Sequence, residues 1–211
     1  MREERIVVAG RELLVTRPDD PESLIDEARF DEDEFLPYWA ELWPSGVALA
    51  DYAATLELAG LRVLELGCGL ALPSFAVALA GADVVATDWA PEALALVHRN
   101  AATNGLQVAT AIVDWRAPPP PGIAGFDVVL AADVLYEERN AVPLLGMLDA
   151  ATSDQGMVLI ADPGRRHAPA FFERAGAGGW SVEQIPANAI PSGGIAILRR
   201  PISLEDGGTL C

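Results

Sequence analysis

Glycine and acidic residues stand directly after an apolar segment in the first half of this 211-residue chain. The segment 63–66 is apolar apart from Glu65, and Gly67 and Gly69 follow it at once. Glycines after a buried strand let backbone N–H groups and a helix N-terminus come close to a ligand. A carboxylate at Glu65 would repel pyrophosphate but suits a ligand with an amino group or hydroxyls. The turn therefore predicts a binding site for such a ligand.

Asp88 ends the next apolar segment, Asp83–Thr87. A carboxylate at the tip of a second strand, about 20 residues past the glycines, is where doubly wound folds hold ribose hydroxyls. The alternative is that Asp88 only caps the helix that begins near Pro91. The glycine turn before it favours ribose binding over capping.

Two further apolar segments end in residues that could bind or react. Gln107–Val113 is followed by Asp114 and Trp115. Phe126–Ala131 is followed by Ala132, Asp133, Val134, Leu135 and Tyr136. The residues expected to converge on one edge of a sheet are Gly67, Gly69, Asp88, Asp114, Trp115, Ala132, Asp133 and Tyr136.

Strands that alternate with helices must position these residues. This alternation predicts an α/β fold with a mainly parallel sheet and helices on both faces, and ligands bind beyond the carboxyl ends of such strands. The predicted strands are 63–66, 83–87, 107–113, 126–131, 157–161, 180–185 and 195–198.

The chain length predicts a single domain, 1–211, in which residues 46–200 form the core. The N-terminal extension, 1–45, holds a hairpin within Arg5–Thr16 and an acidic, peripheral helical segment, Pro18–Glu34. We expect a Pro-Ser-Gly turn after Trp43 to lead into a helix, Val47–Leu58. Residues 201–211 are expected to form a tail.

Composition excludes several function classes. The formal net charge of -17 disfavours a surface that follows a nucleic-acid backbone. All 14 basic residues are arginine, so no lysine can serve a P-loop or form a Schiff base. Two histidines and two distant cysteines support neither a metal site nor a disulfide framework. We expect a monomeric, cytoplasmic protein without a metal or a membrane span.

The order acid-x-Gly-x-Gly, with Asp88 and Asp114 after the next two strands, resembles the class I S-adenosylmethionine-dependent methyltransferases. The motifs LWPSG, DW and ADVLY resemble methyltransferase family 16 over Trp43 to Asp162. That family contains protein-lysine methyltransferases, and some bacterial members are described as nicotinamide-methylase-like. The resemblance implies a Rossmann-like fold whose seven-stranded sheet has an antiparallel final strand.

The resemblance also implies roles for individual residues. S-adenosylmethionine would be the cofactor and S-adenosylhomocysteine the product, while Asp133 and Tyr136 would lie toward the methyl acceptor as catalytic residues. Ala71 departs from the family pattern, because a third glycine is common there. The implied cofactor-binding residues are Trp43, Glu65, Gly67, Cys68, Gly69, Asp88, Trp89, Asp114, Trp115 and Ala132.

Several functions stay open at this point. The expected activity is N-methylation of a lysine side chain on a protein, and the alternatives are methylation of a small amine or cofactor binding without catalysis. An NAD-type oxidoreductase is disfavoured because Leu72 replaces the third glycine of a dinucleotide turn. We expect Asp133 to accept a hydrogen bond from the amine. The alternative is that Asp133 caps the following helix and Tyr136 packs in its first turn.

Overall fold

The computed structural model describes residues 1–21 and 37–201. The strands are β1 (Arg2–Val8), β2 (Arg11–Arg17), β3 (Arg62–Leu66), β4 (Asp83–Asp88), β5 (Ala109–Ile112), β6 (Phe126–Ala132), β7 (Thr152–Asp162), β8 (Ser181–Ile185) and β9 (Gly194–Arg199). The helices are α1 (Pro44–Ala53), α2 (Leu72–Leu79), α3 (Pro91–Thr103), α4 (Ala141–Ala151) and α5 (Ala168–Ala177). Most of the acidic segment Pro18–Glu34 and nearly all of the tail 201–211 lie outside the described residues.

Seven strands form one sheet in the order β5-β4-β3-β6-β7-β9-β8. The pairs from β5 to β7 are parallel, whereas β9 is antiparallel to both of its neighbours. This arrangement confirms the mainly parallel α/β sheet with an antiparallel final strand. The order reverses direction at β3, and ligands bind at such switch points in open α/β sheets.

Both faces of the sheet are buried, which explains why its central strands are apolar without alternation. Leu64 and Leu66 of β3 pack toward α4 and α5 on one face. Val63 packs with α1 on the other face. Because the strands from β5 to β7 are parallel, their carboxyl ends lie at one edge of the sheet.

The predicted N-terminal hairpin is present as a separate two-stranded sheet of β1 and β2. Two asparagine side chains of α3 hold β2 in place. Asn104 accepts from the Leu14 N–H and donates to the Leu14 carbonyl, and Asn100 bonds the Thr16 backbone in the same way. The hairpin is thus fixed to the sheet's helical layer by polar as well as apolar contacts.

The helix α1 departs from the sequence prediction at both ends. It begins at Pro44 and ends at Ala53, so the Pro-Ser-Gly motif is its first turn and not a turn before it. Proline lacks an N–H and has a fixed φ, which suits the first helical position. Near the other end, the Thr55 hydroxyl donates to the Tyr52 carbonyl at 2.7 Å and helps end the helix before Leu58.

Within the described ranges, no helix combines the length and apolar character needed to cross a membrane.

Candidate active site

A cleft of about 340 Å³ lies at the carboxyl edge of β3, β4 and β6. This volume is in the range of small-molecule sites. The predicted site residues all line it: Trp43, Glu65, Gly67, Cys68, Gly69, Asp88, Trp89, Asp114, Trp115, Ala132, Asp133 and Tyr136. In the part of the chain that the structure describes, no cluster of His, Cys, Asp or Glu side chains could hold a metal ion.

The glycine turn after β3 brings two tryptophans against the backbone. Gly67 and Gly69 have φ values of +64° and +49°, which favour glycine. A methyl group placed on Gly67 would lie 3.0 Å from the Trp115 ring. One placed on Gly69 would lie 3.0 Å from the Trp39 carbonyl oxygen. Both glycines are therefore needed for close packing at the cleft wall as well as for the turn.

Ala71 adopts the left-handed conformation, with φ of 57°, immediately before α2. Alanine reaches this region at a cost of about 1–2 kcal/mol. The residue that departs from the family's glycine pattern therefore keeps the backbone shape that glycine would adopt.

Glu65 is a buried carboxyl group at the floor of the cleft. It is 1% exposed, and its Oε2 accepts hydrogen bonds from the Ser74 N–H and hydroxyl. The pKa of Glu65 is raised to about 8, chiefly by burial and to a small extent by the charge of Asp88, although the hydrogen bonds from Ser74 lower it. Among the described residues, Oε1 has no hydrogen-bond partner, so this oxygen is available to an amino group of a ligand.

Asp88 joins the glycine turn to the beginning of α3. Its Oδ2 accepts from the Gly69 N–H at 2.9 Å and its Oδ1 from the Ala90 N–H at 3.0 Å. Ala90 itself occupies the N-cap position of α3. Burial raises the pKa of Asp88. A carboxylate has about four acceptor positions, so it can still receive ribose hydroxyls.

Cys68 and Trp89 border the cleft beside this carboxylate. The thiol of Cys68 is buried, and burial raises its pKa well above the ordinary value. Trp89 is partly exposed at the rim. Neither side chain therefore offers an activated nucleophile.

Asp114 and Trp115 face different environments: Asp114 lies near the surface, and Trp115 lies in the cleft wall. Both oxygens of Asp114 bond Arg116, and this pairing lowers the pKa of the half-exposed carboxyl. Trp115 turns inward and packs over Gly67. The indole, more than the carboxylate, is therefore placed to contact a planar base.

Asp133 is a second buried carboxyl group that lines the cleft. Its side chain is 4% exposed and its φ is +58°. Arg165 donates from Nε to Oδ1 at 2.7 Å, its Nη2 lies 2.7 Å from the same oxygen as an ion pair, and the Ser45 hydroxyl lies 3.4 Å from Oδ2. The following helix, α4, begins only at Ala141. Asp133 therefore does not cap that helix, and the alternative prediction is wrong.

Three aromatic rings line the cleft beside Asp133. The centroids of Tyr38 and Tyr136 are 5.3 Å apart, and those of Tyr38 and Trp43 are 6.2 Å apart. Trp43 also donates from Nε1 to the Tyr38 carbonyl at 2.8 Å. The Arg165 guanidinium lies 5.6 Å from the Trp43 ring. The predicted alternative for Tyr136, packing in the first turn of α4, is also wrong.

Sequence reasoning did not assign three residues that line this cleft, namely Tyr38, Trp39 and Arg165, nor Ser45, which bonds Asp133 from α1. Arg165 had a usable signal, because it follows the Asp162-Pro163-Gly164 turn at the carboxyl end of β7. The rule that located the other strand-end residues applies there too. Asp162 accepts from the N–H groups of Gly164 and Arg165 and so fixes the path of this loop.

Comparison with known proteins assigns this chain to a family. A family model described as lysine methyltransferase matches residues 27–176, more than half of the chain. The electron transfer flavoprotein beta subunit lysine methyltransferase of Danio rerio is 38% identical over 61% of this chain and 51% of its own length. EEF1A lysine methyltransferase 3 of Mus musculus is 30% identical over 64% of this chain and 61% of its own length.

The fold is also found in solved structures. A TehB-like SAM-dependent methyltransferase from Corynebacterium glutamicum superposes with a TM-score of 0.60 at 17% identity, covering 76% of this chain and 89% of that one. This likeness shows the fold alone. The chain spans about half the length of the first relative named above. Because the family model matches residues 27–176, more than half of the sequence, the chain belongs to the lysine methyltransferase family.

Proposed function

We propose that this protein transfers a methyl group from S-adenosylmethionine to the side-chain amine of a lysine in another protein. The observation that carries the proposal is a buried carboxylate, Asp133, beside aromatic rings in the cleft that also holds the glycine turn. The family and the names of its relatives support a protein lysine as the acceptor.

The residues of the cleft suit such a cofactor. Glu65 offers a carboxyl oxygen to an amino group, Asp88 offers acceptors to ribose hydroxyls, and Trp115 offers a ring face to a base. Gly67 and Gly69 keep the wall free of side chains at the turn. When bound, S-adenosylmethionine supplies a methyl group that passes to the amine nitrogen while the C–S bonding pair remains on sulfur, leaving S-adenosylhomocysteine.

The chain's own task is then to align the amine and exclude water, since orientation supplies much of the acceleration of such a transfer. Asp133 accepts a hydrogen bond from the amine and directs its lone pair. Trp43 and Tyr136 present aromatic faces that favour a neighbouring cation. The proton of the incoming ammonium leaves to solvent or through Asp133.

Incubation with methyl-labelled S-adenosylmethionine and a fractionated cell lysate tests the proposal. We expect the label to precipitate with protein and, after digestion, to reside on lysine. The chain has no lysine, so labelled lysine cannot come from the enzyme itself. The Asp88→Ala variant is the control, and it should lose the label. Label that stays in the low-mass filtrate would instead favour a small-amine acceptor, and label in neither fraction would contradict the proposal.

Asp133→Asn tests the acceptor side. The variant should retain cofactor binding, because the Asp133 side chain bonds Ser45 and Arg165 and not Glu65 or Asp88. Its turnover should fall by about 100-fold or more, the usual effect of removing a proton acceptor. Near-normal turnover would remove Asp133 from the mechanism.

The expected monomeric state and cytoplasmic location stay predictions, which size-exclusion chromatography and cell fractionation would test.

A further inference from the structure

Arg165 pairs with Asp133, the carboxylate to which the proposed function assigns the acceptor amine. The Arg165 guanidinium contacts Oδ1 of Asp133 through two nitrogens: Nε donates a hydrogen bond at 2.7 Å, and Nη2 forms an ion pair at 2.7 Å. Among the described residues, the other oxygen, Oδ2, receives only the Ser45 hydroxyl at 3.4 Å, a long contact. One carboxylate oxygen is therefore held firmly by the protein, and the other can meet an incoming amine.

The loop that bears Arg165 fixes this arrangement from two sides. Asp162 accepts the N–H groups of Gly164 and Arg165 at 2.8 and 2.7 Å. The guanidinium also lies over the Trp43 ring. Arginine is protonated throughout the physiological pH range, and the hydrogen bond to Asp133 raises the pKa of Arg165 further. The cation is thus a constant part of the cleft.

A constant cation changes which form of the amine the site favours. A free lysine amine has a pKa of about 10.4 and is almost wholly protonated at neutral pH. A lone buried carboxylate would stabilise that ammonium, which has no lone pair for attack. A carboxylate already paired with a guanidinium attracts the ammonium far less, because the two charges nearly cancel at the amine.

We propose, on the basis of the proposed function, that Arg165 is a positioning residue for methyl transfer. It pairs with Asp133 so that the acceptor meets a neutral ion pair instead of a lone carboxylate, and the amine is held in its neutral, nucleophilic form. The uncharged amine can donate one N–H to Oδ2 of Asp133, and its lone pair remains free to attack.

Other charged and titratable groups surround the pair and must be considered. Asp162 lies behind the loop and interacts with both members, and Tyr38 faces Arg165. Tyr136 is influenced by Glu137, Asp88 and Arg139, and its pKa is raised to about 12, chiefly by burial. An Arg165 substitution leaves Asp162 and these further groups in place. Any difference in amine binding between the wild type and an Arg165 variant that removes the charge therefore reports on the charge of Arg165.

Binding of n-butylamine, a lysine side chain without its peptide, tests the inference without requiring methyl transfer. Affinity is measured by ligand-detected NMR between pH 6.5 and 9.5 in the presence of S-adenosylhomocysteine. The wild type should bind weakly at pH 7.5 and more tightly as the pH rises. Arg165→Met should bind about tenfold more tightly at pH 7.5 and show little dependence on pH.

Two other substitutions separate charge from structure. Arg165→Lys keeps the cation and should retain the wild-type pH profile. Arg200→Met is the matched control, because Arg200 also pairs with a carboxylate, Asp149, and lies over a tryptophan, but outside the cleft. It should bind n-butylamine as the wild type does.

The inference is overturned if Arg165→Met binds n-butylamine no more tightly than the wild type at pH 7.5. Should that variant fail to fold, Arg165→Gln provides the same test, because glutamine removes the charge and keeps a donor for Asp133. Failure of the proposed function would instead appear as absence of methyl transfer to lysate protein with the n-butylamine profiles as expected. The two failures are therefore distinguishable.

Discussion

At the scale of single residues, the protonated state of Glu65 makes a prediction about ligand binding. Its pKa of about 8 lies above the ordinary 4.5, so at pH 7 the buried carboxyl carries a proton. An ammonium group placed beside Oε1 would favour the carboxylate. Binding of S-adenosylhomocysteine at pH 7 should therefore release about one proton. Calorimetry in two buffers with different ionisation enthalpies measures this number, and Glu65→Gln should reduce it to near zero.

Asp114→Asn is the control for this measurement. Pairing with Arg116 lowers the pKa of Asp114, so that carboxyl is already ionised at pH 7. Its replacement should leave the proton release unchanged, whatever it does to affinity. Equal proton release by wild type and Glu65→Gln would mean that Glu65 does not face the amino group.

Gly67→Ala tests the contact between the glycine turn and Trp115. The new methyl group would lie 3.0 Å from the ring and 3.3 Å from Val134, and overpacking of this kind costs about 1–3 kcal/mol. The matched control is Gly105→Ala, because Gly105 has a similar φ of +67° but nothing within 4 Å of the added methyl. Urea unfolding should show the Gly67 variant to be less stable than the control by that amount. If both variants lose the same free energy of unfolding, the positive φ of the glycines, and not the contact with Trp115, would be the cause of the loss.

At the scale of secondary-structure elements, α3 controls how firmly the hairpin is attached. Asn100 is fully buried, and its amide satisfies both backbone groups of Thr16. Asn100→Ala should leave these groups unpaired at a cost of about 1–3 kcal/mol. Hydrogen exchange should then accelerate at the amides of β1 and β2 while those of β3 and β6 stay protected.

Thr103→Ala provides the comparison on the same helix. In the described part of the chain, the Thr103 hydroxyl bonds only the Arg99 carbonyl within α3, so its removal should change stability by less than about 0.5 kcal/mol. Uniform acceleration of exchange across the main sheet in Asn100→Ala would show that the hairpin and the sheet unfold as one unit.

The elements also show how far a sequence can be interpreted by physical rules. Unbroken apolar runs such as Val128–Ala131 are typical of strands buried on both faces, and the central strands of the main sheet follow from them. Strand-end residues were located because parallel strands share one carboxyl edge. The contact of Arg165 with Asp133 could not be predicted, because it depends on the path of the loop after β7. The same holds for the Trp39 carbonyl against Gly69, which joins segments with no shared local pattern.

At the scale of the whole molecule, the net charge of -17 predicts a response to salt. Like charges repel across a compact surface, and added salt screens them over about 10 Å at 0.1 M. We expect the melting temperature to rise as NaCl increases from 10 to 300 mM, and KCl to have the same effect. A falling melting temperature would mean that surface ion pairs such as Arg5–Glu12 outweigh the general repulsion.

The left-handed backbone at Asp133 sets what natural selection could place there. Only glycine, asparagine and aspartate reach a φ of +58° readily, and β-branched side chains are strongly disfavoured. In a library of all substitutions at this position, selection for folding alone should enrich those residues, and selection for methyl transfer should then retain aspartate. Asparagine and glycine would be stable intermediates through which an ancestral chain could lose or regain catalysis without unfolding.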